Sequence, residues 1–238
     1  TTSIPLYILA GFMTRDTKST EAGFKYLLFG AATSTIMLYG FSLLYGFSGT
    51  TNLYTLAEIF YSMEFPSLAV IGSFILILIG FGFKISAVPL HFWAPDVYEG
   101  APTPVAGFLS TASKAAGFAV LLRVLVAVFT PVVLNDWSSV LATMAVLTMT
   151  VGNLLALAQK NIKRMLAFSS IAHAGYILIG VVAVTELGVA SVVFYLLAYM
   201  ITNLAAFGVV VIFWQVTGSD DISAYAGLSR RSPGLALA

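Results

Sequence analysis

Long apolar runs decide what this chain can fold into. A helix that crosses about 30 Å of hydrocarbon needs roughly 20 mainly apolar residues. A partial run of this kind occupies residues 1–13, and full runs lie near 22–46, 67–94, 102–129, 137–158, 162–184 and 188–216. Only 9% of the residues are charged, against about a quarter in soluble domains. The sequence therefore predicts an all-α, polytopic transmembrane helix bundle that forms a single membrane domain over residues 1–238.

Basic residues in the loops predict the orientation of the bundle. The loops after the second, fourth and sixth apolar runs contain neither Lys nor Arg. The basic residues lie in the loops after the first, fifth and seventh runs: Arg15, Lys18, Lys160, Lys163, Arg164, Arg230 and Arg231. Loops rich in Lys and Arg stay on the cytoplasmic side of a membrane. We therefore expect these loops to face the inside.

The composition also argues against several classes of function. The sequence has no cysteine, which excludes disulfides and thiolate-bound metals or clusters from its 238 residues. Its two histidines, His91 and His173, are too far apart in sequence to suggest a metal site. A net charge of +1 gives no reason to expect a nucleic-acid partner.

Lys114 is the most informative charge inside an apolar run. It lies about midway along 102–129, among small residues of the segment GFLSTASKAAGF. A charge at that depth costs about 2.5–3.5 kcal/mol on insertion scales, so it usually faces protein or a water-filled cavity. A lysine that gains and loses a proton is the expected function, and a lysine neutralised by a structural carboxylate is the alternative.

Lys84 precedes a predicted helix break. Pro89 lacks the N–H that would bond Ile85 and its ring disrupts the helix, so carbonyls near the break lose their partners. Such carbonyls carry the negative end of a half-helix dipole and suit an ammonium group or water. The alternative is a simple kink, with Lys84 extending towards the inner surface.

Five other charged or titratable positions carry weaker signals. Lys25 follows Glu21 by four residues, which suits a surface ion pair as well as a proton-relay role. His173 is placed mid-span among Ser and Gly residues, where it can relay protons or bond a backbone carbonyl. Arg123 is a poor proton carrier and a candidate anchor. Asp96 and Glu99 are expected in an inner-surface turn that caps a helix near Thr103.

Three stretches resemble a known family. They are PLHFWAPDVYEGAPTPVAGFLSTASKAAGFAVLLRV, FKYLLFGAATSTIMLYGFSLLYG and QKNIKRMLAFSSIAHAGYILIG. Together they resemble the antiporter-like subunits of respiratory complex I, the NADH:quinone oxidoreductase, and most of all subunit N, also called subunit 2 or B. The wording PDVYEGAPTPV is the most specific part of this resemblance.

The resemblance implies a fold of two inverted helix repeats, each with one broken helix. Residues 1–129 would be the end of the first repeat and 130–238 the start of the second. Lys84 and Lys114 would form the centre of a proton relay, with Lys25 and His173 in weaker supporting roles. A glutamate partner for Lys84 and a further lysine are expected outside this sequence, which would be a fragment of a longer protein.

The function implied is proton translocation within a complex I-type enzyme. The chain itself would carry no redox centre and no cofactor, and NADH, FMN, iron–sulfur clusters and quinone would be bound by partner subunits. Its partners would be neighbouring antiporter-like and small helical membrane subunits, together with the lipid bilayer. The expected location is a bacterial plasma membrane, with the thylakoid and mitochondrial inner membranes as alternatives.

Two rival functions remain open at this point. One is a subunit of a multi-subunit Na⁺/H⁺ antiporter or a membrane-bound hydrogenase, which share the same ancestry. The other is a quinone-binding redox subunit, for which His91, Trp93 and Tyr98 near the inner surface are the candidate site.

Overall fold

The computed structural model describes residues 3–62, 68–183 and 185–237. The described chain is helical, apart from short connections and one isolated β-bridge between Asn161 and Asp221. The α-helices are α1 Ser3–Ala10, α2 Thr17–Ser48, α3 Leu53–Ser62, α4 Leu68–Ile85, α5 Trp93–Gly100, α6 Thr103–Phe108, α7 Lys114–Val124, α8 Thr130–Leu157, α9 Ile162–Ala183, α10 Glu186–Thr217, α11 Leu228–Arg231 and α12 Pro233–Leu237. Two π-helical segments, Leu109–Ser113 and Leu125–Phe129, flank α7, and Ile222–Tyr225 forms a 3₁₀ turn.

The helices confirm a polytopic membrane bundle. Five helical segments of the described chain are long and apolar enough to cross a membrane: 17–48, 103–128, 137–157, 162–183 and 186–217. A shorter apolar helix covers Val70–Ile85. Each corresponds to a full apolar run in the sequence, and the run at 67–94 is the one that the structure interrupts.

Three predicted connections are helical instead. The polar stretch at 47–66 contains α3, which buries Leu56 and Phe60, while residues 63–67 lie outside the described chain. The predicted turn at 95–101 is mostly α5, because Pro95 falls in its first turn, where no backbone N–H is needed. The predicted loop LNDW lies within α8, since it contains neither Gly nor Pro to end a helix.

Close contact between α8 and α9 provides much of the packing. A Cβ atom added to Gly152 on α8 would lie only 2.6 Å from the backbone nitrogen of Ala172 on α9. Small residues allow transmembrane helices to approach in this way. The contact fixes α9 against the bundle, and α9 carries Ser170 and His173 of the site described next.

Candidate proton-relay site

The predicted helix break is confirmed. α4 ends at Ile85, and α5 begins at Trp93. Between them Ser86 has a φ of 60°, and the Val88–Pro89 bond is cis. Non-helical backbone at membrane depth is tolerated where it is buried in protein, and Ser86 and Ala87 are fully buried.

Several backbone groups of the break bind groups other than Lys84, while the buried Ser86 hydroxyl has no hydrogen-bond partner within the described residues. The carbonyl of Phe83 accepts hydrogen bonds from the Ser86 N–H at 3.1 Å and from the indole of Trp93 at 3.0 Å. The Val88 N–H donates to the hydroxyl of Thr148 on α8 at 3.0 Å. The sequence suggested the Lys84 ammonium for such carbonyls, but the described residues contain no such bond, and the Trp93 indole binds the carbonyl of Phe83.

Lys84 instead packs against the helix that carries Lys114. Its side chain is half-buried, and its stem crosses α7 at Gly117, less than one helical turn after Lys114. A Cβ atom at Gly117 would lie 3.2 Å from Lys84 Cγ and 3.2 Å from Ile85 Cγ2. The stem of Lys84, on α4, thus meets α7 within one helical turn of Lys114.

Lys114 is buried within protein, with 1% of its surface exposed. Its Nζ donates to the backbone carbonyl of Ser170 at 2.6 Å and to the hydroxyl of the same residue at 2.5 Å. Both acceptors are neutral. Within residues 3–62, 68–183 and 185–237 no carboxylate forms an ion pair with Lys114, so the alternative of a structural carboxylate partner is not seen there.

A π-helical segment, Leu109–Ser113, ends directly before Lys114. The hydroxyls of Ser110 and Thr111 both donate to the carbonyl of Gly107 at 2.8 Å, within the widened turn. Single π-helical turns are frequent at functional sites. Here the widened turn lies directly next to the buried Lys114.

A buried network of hydroxyl and amide groups surrounds the Lys114–Ser170 contact. The Tyr98 hydroxyl lies 3.5 Å from Ser170 Oγ. The amide of Asn203 on α10 donates to Ser110 Oγ at 2.7 Å and to the hydroxyl of Tyr199 at 2.8 Å. Hydroxyl groups both donate and accept hydrogen bonds, so they can conduct a proton between titratable groups.

His173 joins this region through tyrosines. Its Nδ1 lies 2.7 Å from the hydroxyl of Tyr195, and its ring centroid is 4.9 Å from that of Tyr199. The backbone carbonyl considered from the sequence is therefore not the partner of this nitrogen.

Lys25 lies outside the network, in a cluster of ion pairs at the inner end of the bundle. Its Nζ is 2.6 Å from Glu21 and 2.6 Å from Asp96, so the predicted pair with Glu21 is present. Arg164 on α9 contacts Asp96 at 2.7 Å and Glu99 at 2.9 Å. The cluster joins α2, α5 and α9, and we call its end of the bundle the inner end.

The helix-capping role expected for Asp96 and Glu99 is wrong. The residue before α6 is Pro102, and no side chain caps that helix. Burial alone would raise the pKa of both carboxyls, but hydrogen bonds from the basic groups outweigh it and lower each pKa below its usual value. Both acids therefore stay charged at neutral pH and hold α5 in place.

The remaining residues singled out from the sequence differ in their exposure. Arg123 is exposed on α7, compatible with an anchor. The three residues considered for quinone binding are buried in the aromatic core, with exposures of 5% for His91, 3% for Trp93 and 0% for Tyr98. In the described part of the chain no group of three His, Cys, Asp or Glu side chains could hold a metal ion.

Sequence reasoning missed several members of the site. Ser170 was noted only as a polar neighbour of His173, and Asn203, Tyr199 and Thr148 were not singled out. An amide inside an apolar run was the available signal for Asn203, since buried polar groups need partners. Tyrosines and threonines are too common in membrane helices to stand out.

Comparison with known proteins identifies the family. The family model described as "NADH:quinone oxidoreductase/Mrp antiporter, TM" matches residues 1–238. The chain belongs to this family. It is a multi-pass membrane protein of the antiporter-like type, and its relatives are named as subunits of quinone oxidoreductases.

Two relatives indicate the branch of the family. The NAD(P)H-quinone oxidoreductase subunit 2 of Picosynechococcus is 52% identical over 99% of this chain and 45% of the relative. The NADH-quinone oxidoreductase subunit N 2 of Chloroherpeton thalassium is 46% identical over 97% of this chain and 46% of the relative. The chain thus spans slightly less than half the length of these relatives.

Solved structures agree with the fold. A chain of respiratory complex I from Thermus thermophilus matches with a TM-score of 0.79 and 39% identity, covering 99% of this chain and 49% of that one. A chain of the archaeal membrane-bound sulfane sulfur reductase matches with a TM-score of 0.88 and 32% identity, covering 99% of this chain and 48% of that one. A chain of the Mrp complex from Dietzia matches with a TM-score of 0.74 and 27% identity, covering 82% of this chain and 35% of that one.

Proposed function

We propose that this chain forms the central part of a proton-translocating membrane subunit in an NADH:quinone oxidoreductase-type complex. The family and the names of the relatives support the type of complex. The observation that carries the proton-relay function is Lys114, an amine with 1% exposure whose bonded acceptors are the neutral groups of Ser170.

The energetic reason is the cost of a buried charge. An ammonium group inside protein loses hydration, and neutral hydrogen-bond acceptors recover only part of that cost. Because none of the carboxylates in the described part of the chain pairs with it, the charge on Lys114 depends on the charges of its neighbours. A nearby charge that appears or disappears therefore changes whether Lys114 holds its proton.

Lys84 is the expected neighbour in this exchange. Its stem packs on α7 at Gly117, next to Lys114. Like charges disfavour each other when they come close, so a protonated Lys84 that approaches Lys114 would favour the neutral form of Lys114. His173 and the hydroxyl network then provide groups that can take the proton further, and Lys25 would act through its contact with Asp96 rather than as a carrier.

Redox chemistry belongs elsewhere in this proposal. NADH, FMN, iron–sulfur clusters and quinone would be bound by partner subunits, and this chain would contribute proton transfer alone. Neighbouring antiporter-like subunits would pass electrostatic changes to Lys84 through parts of the full-length subunit outside this sequence. The two inverted repeats, 1–129 and 130–238, remain part of the same prediction.

A subunit of a Na⁺/H⁺ antiporter complex is the second candidate function. The similarity to the Mrp complex from Dietzia supports it, but at 27% identity and 82% coverage. The cyanobacterial quinone oxidoreductase subunit is 52% identical over 99% of the chain, which favours the quinone oxidoreductase.

The test is replacement of Lys114 in the full-length subunit within its complex. Lys114→Gln keeps a polar side chain but cannot carry a proton, so proton pumping per assembled complex should fall to background in proteoliposomes. Lys160→Gln is the matched control, because Lys160 is exposed at the inner end of the bundle. Normal pumping by Lys114→Gln would contradict the proposed function.

A further inference from the structure

A second buried lysine lies at the inner end of the bundle, outside the network around Lys114. Lys163, near the start of α9, is 6% exposed. Its Nζ donates to the carbonyl of Ala101 at 3.1 Å and lies 3.7 Å from Asp220 Oδ2. The relay described above makes no use of Lys163.

Lys163 lines a cavity of about 350 Å³. The cavity lies between α2, α5, α6, α9, α10 and the segment that follows α10. The polar residues in its wall include Lys18, Glu99, Gln215 and Asp220. The other carboxylate oxygen of Asp220 is buried and has no hydrogen-bond partner within the described residues. A cavity of this size with charged and polar groups in its wall can hold water, and the free oxygen of Asp220 can act as an acceptor for such water.

The spacing of residues on α9 places the cavity residue Lys163 on the same helix face as Ser170, which binds Lys114. Lys163 and Ser170 are seven residues apart, so they share one face of α9 and lie about 10 Å apart along its axis. Ser170 is the residue that binds the Lys114 amine. On the facing helix α5, Glu99 lines the cavity, and the adjacent Tyr98 lies 3.5 Å from the Ser170 hydroxyl.

We propose that this inner cavity is the port through which Lys114 exchanges protons with the inner aqueous phase, with Lys163 as its proton-carrying residue and Asp220 as the partner that stabilises the ammonium form. The proposal rests on the proposed function of Lys114. The Lys163 ammonium releases a proton to water that enters from the cavity, and a proton reaches the neutral Lys114 amine. A proton from the inner phase then restores the Lys163 ammonium, so that charge and proton number balance.

The first experiment replaces Lys163 in the full-length subunit and measures proton pumping per assembled complex in proteoliposomes. Lys163→Gln keeps a donor for the Ala101 carbonyl but carries no proton, and pumping should fall roughly tenfold or more. Lys163→His can still gain and release a proton and should restore most of the rate. Lys160→Gln, at an exposed lysine three residues earlier, should pump normally.

The results separate the port from the relay itself. If Lys163→Gln pumps as fast as Lys160→Gln, or if Lys163→His is as slow as Lys163→Gln, Lys163 is not the carrier. If either occurs while Lys114→Gln still abolishes pumping, the relay stands and only the port is wrong. Normal pumping by Lys114→Gln overturns both proposals.

A second experiment covers the case in which Lys163 variants fail to assemble. Thr103 lines the cavity, so Thr103→Cys places a thiol there, in a sequence without native cysteine. In inside-out vesicles, a bulky membrane-impermeant thiol reagent should slow pumping by Thr103→Cys, relative to Lys160→Cys and to the unsubstituted complex. Equal rates for all three after complete labelling would overturn the port.

Discussion

Gly117→Ala tests whether the approach of Lys84 to the Lys114 helix matters for proton transfer. The added methyl group would lie 3.2 Å from Lys84 Cγ and from Ile85 Cγ2. Carbon atoms prefer separations of about 3.5–4.0 Å, so the Lys84 stem must move by roughly half an ångström. Overpacking of this kind costs about 1–3 kcal/mol, and about 1 kcal/mol is regained because Ala favours helix over Gly.

The substitution should slow pumping while the complex still assembles. A displacement of about 1 Å costs roughly a hundredfold where groups must be aligned for a reaction, so about half that distance should slow pumping roughly tenfold. The assay is proton pumping per assembled complex, with the thermal midpoint of the complex measured in parallel. Net destabilisation should stay within about 2 kcal/mol.

Gly208→Ala on α10 is the matched control. No heavy atom lies within 4 Å of a Cβ atom added at Gly208, so this substitution changes helix propensity without a steric contact. It should leave pumping unchanged and the complex at least as stable. Equal pumping rates for Gly117→Ala and Gly208→Ala would refute the view that Lys84 must sit close against α7.

Two further predictions concern the supports of the site. Arg164→Ala should destabilise the complex by about 1–2 kcal/mol after allowance for screening by water, measured by thermal unfolding. The fold lowers the pKa values of Asp96 and Glu99, so these acids stabilise the folded complex above their unfolded pKa values of about 4. This stability is lost as the pH falls through the folded pKa values. The loss of stability in acid should be smaller in Arg164→Ala, and an unchanged pH profile would argue against the cluster. Thr148→Val leaves the buried Val88 N–H without its acceptor and should lower the free energy of unfolding by about 1–3 kcal/mol. Thr148→Ser keeps the hydroxyl and should be close to wild type in thermal unfolding. Equal stabilities of the two variants would contradict this role of Thr148.

The sequence predicted those features that depend on local rules. Pro89 interrupts a helix wherever it occurs in the middle of one, so the break after Ile85 was predictable from the chain alone. Lys114 was predictable as a buried group because a charge in the middle of an apolar run avoids lipid. The apolar runs predicted the bounds of the long membrane-spanning helices to within a few residues.

Long-range partners were not predictable in the same way. Lys114 binds Ser170, on a different helix, and Val88 binds Thr148 in the same fashion. Nothing in the local sequence selects these partners, since many hydroxyl residues lie in the apolar runs. Only the packing of α8 and α9 decides which hydroxyl faces the break and which faces the lysine.

The acidic pair shows how tertiary contacts overrode a local rule. Asp96 and Glu99 before a Thr-Pro sequence resemble a helix-capping turn, yet both acids lie on a short helix that binds Arg164. That arginine was assigned to an inner loop and was not paired with either acid. Ion pairs between helices distant in sequence have no local signature, so the structure was needed to find them.

The central claim is that Lys114 acts by losing and regaining a proton, and Lys114→Arg tests it most directly. Arginine keeps the positive charge and can donate to the Ser170 acceptors, but it does not release its proton at physiological pH. We expect a complex that assembles and yet pumps no more protons than Lys114→Gln. Pumping at the wild-type rate by Lys114→Arg would show that a fixed charge suffices and would contradict the relay.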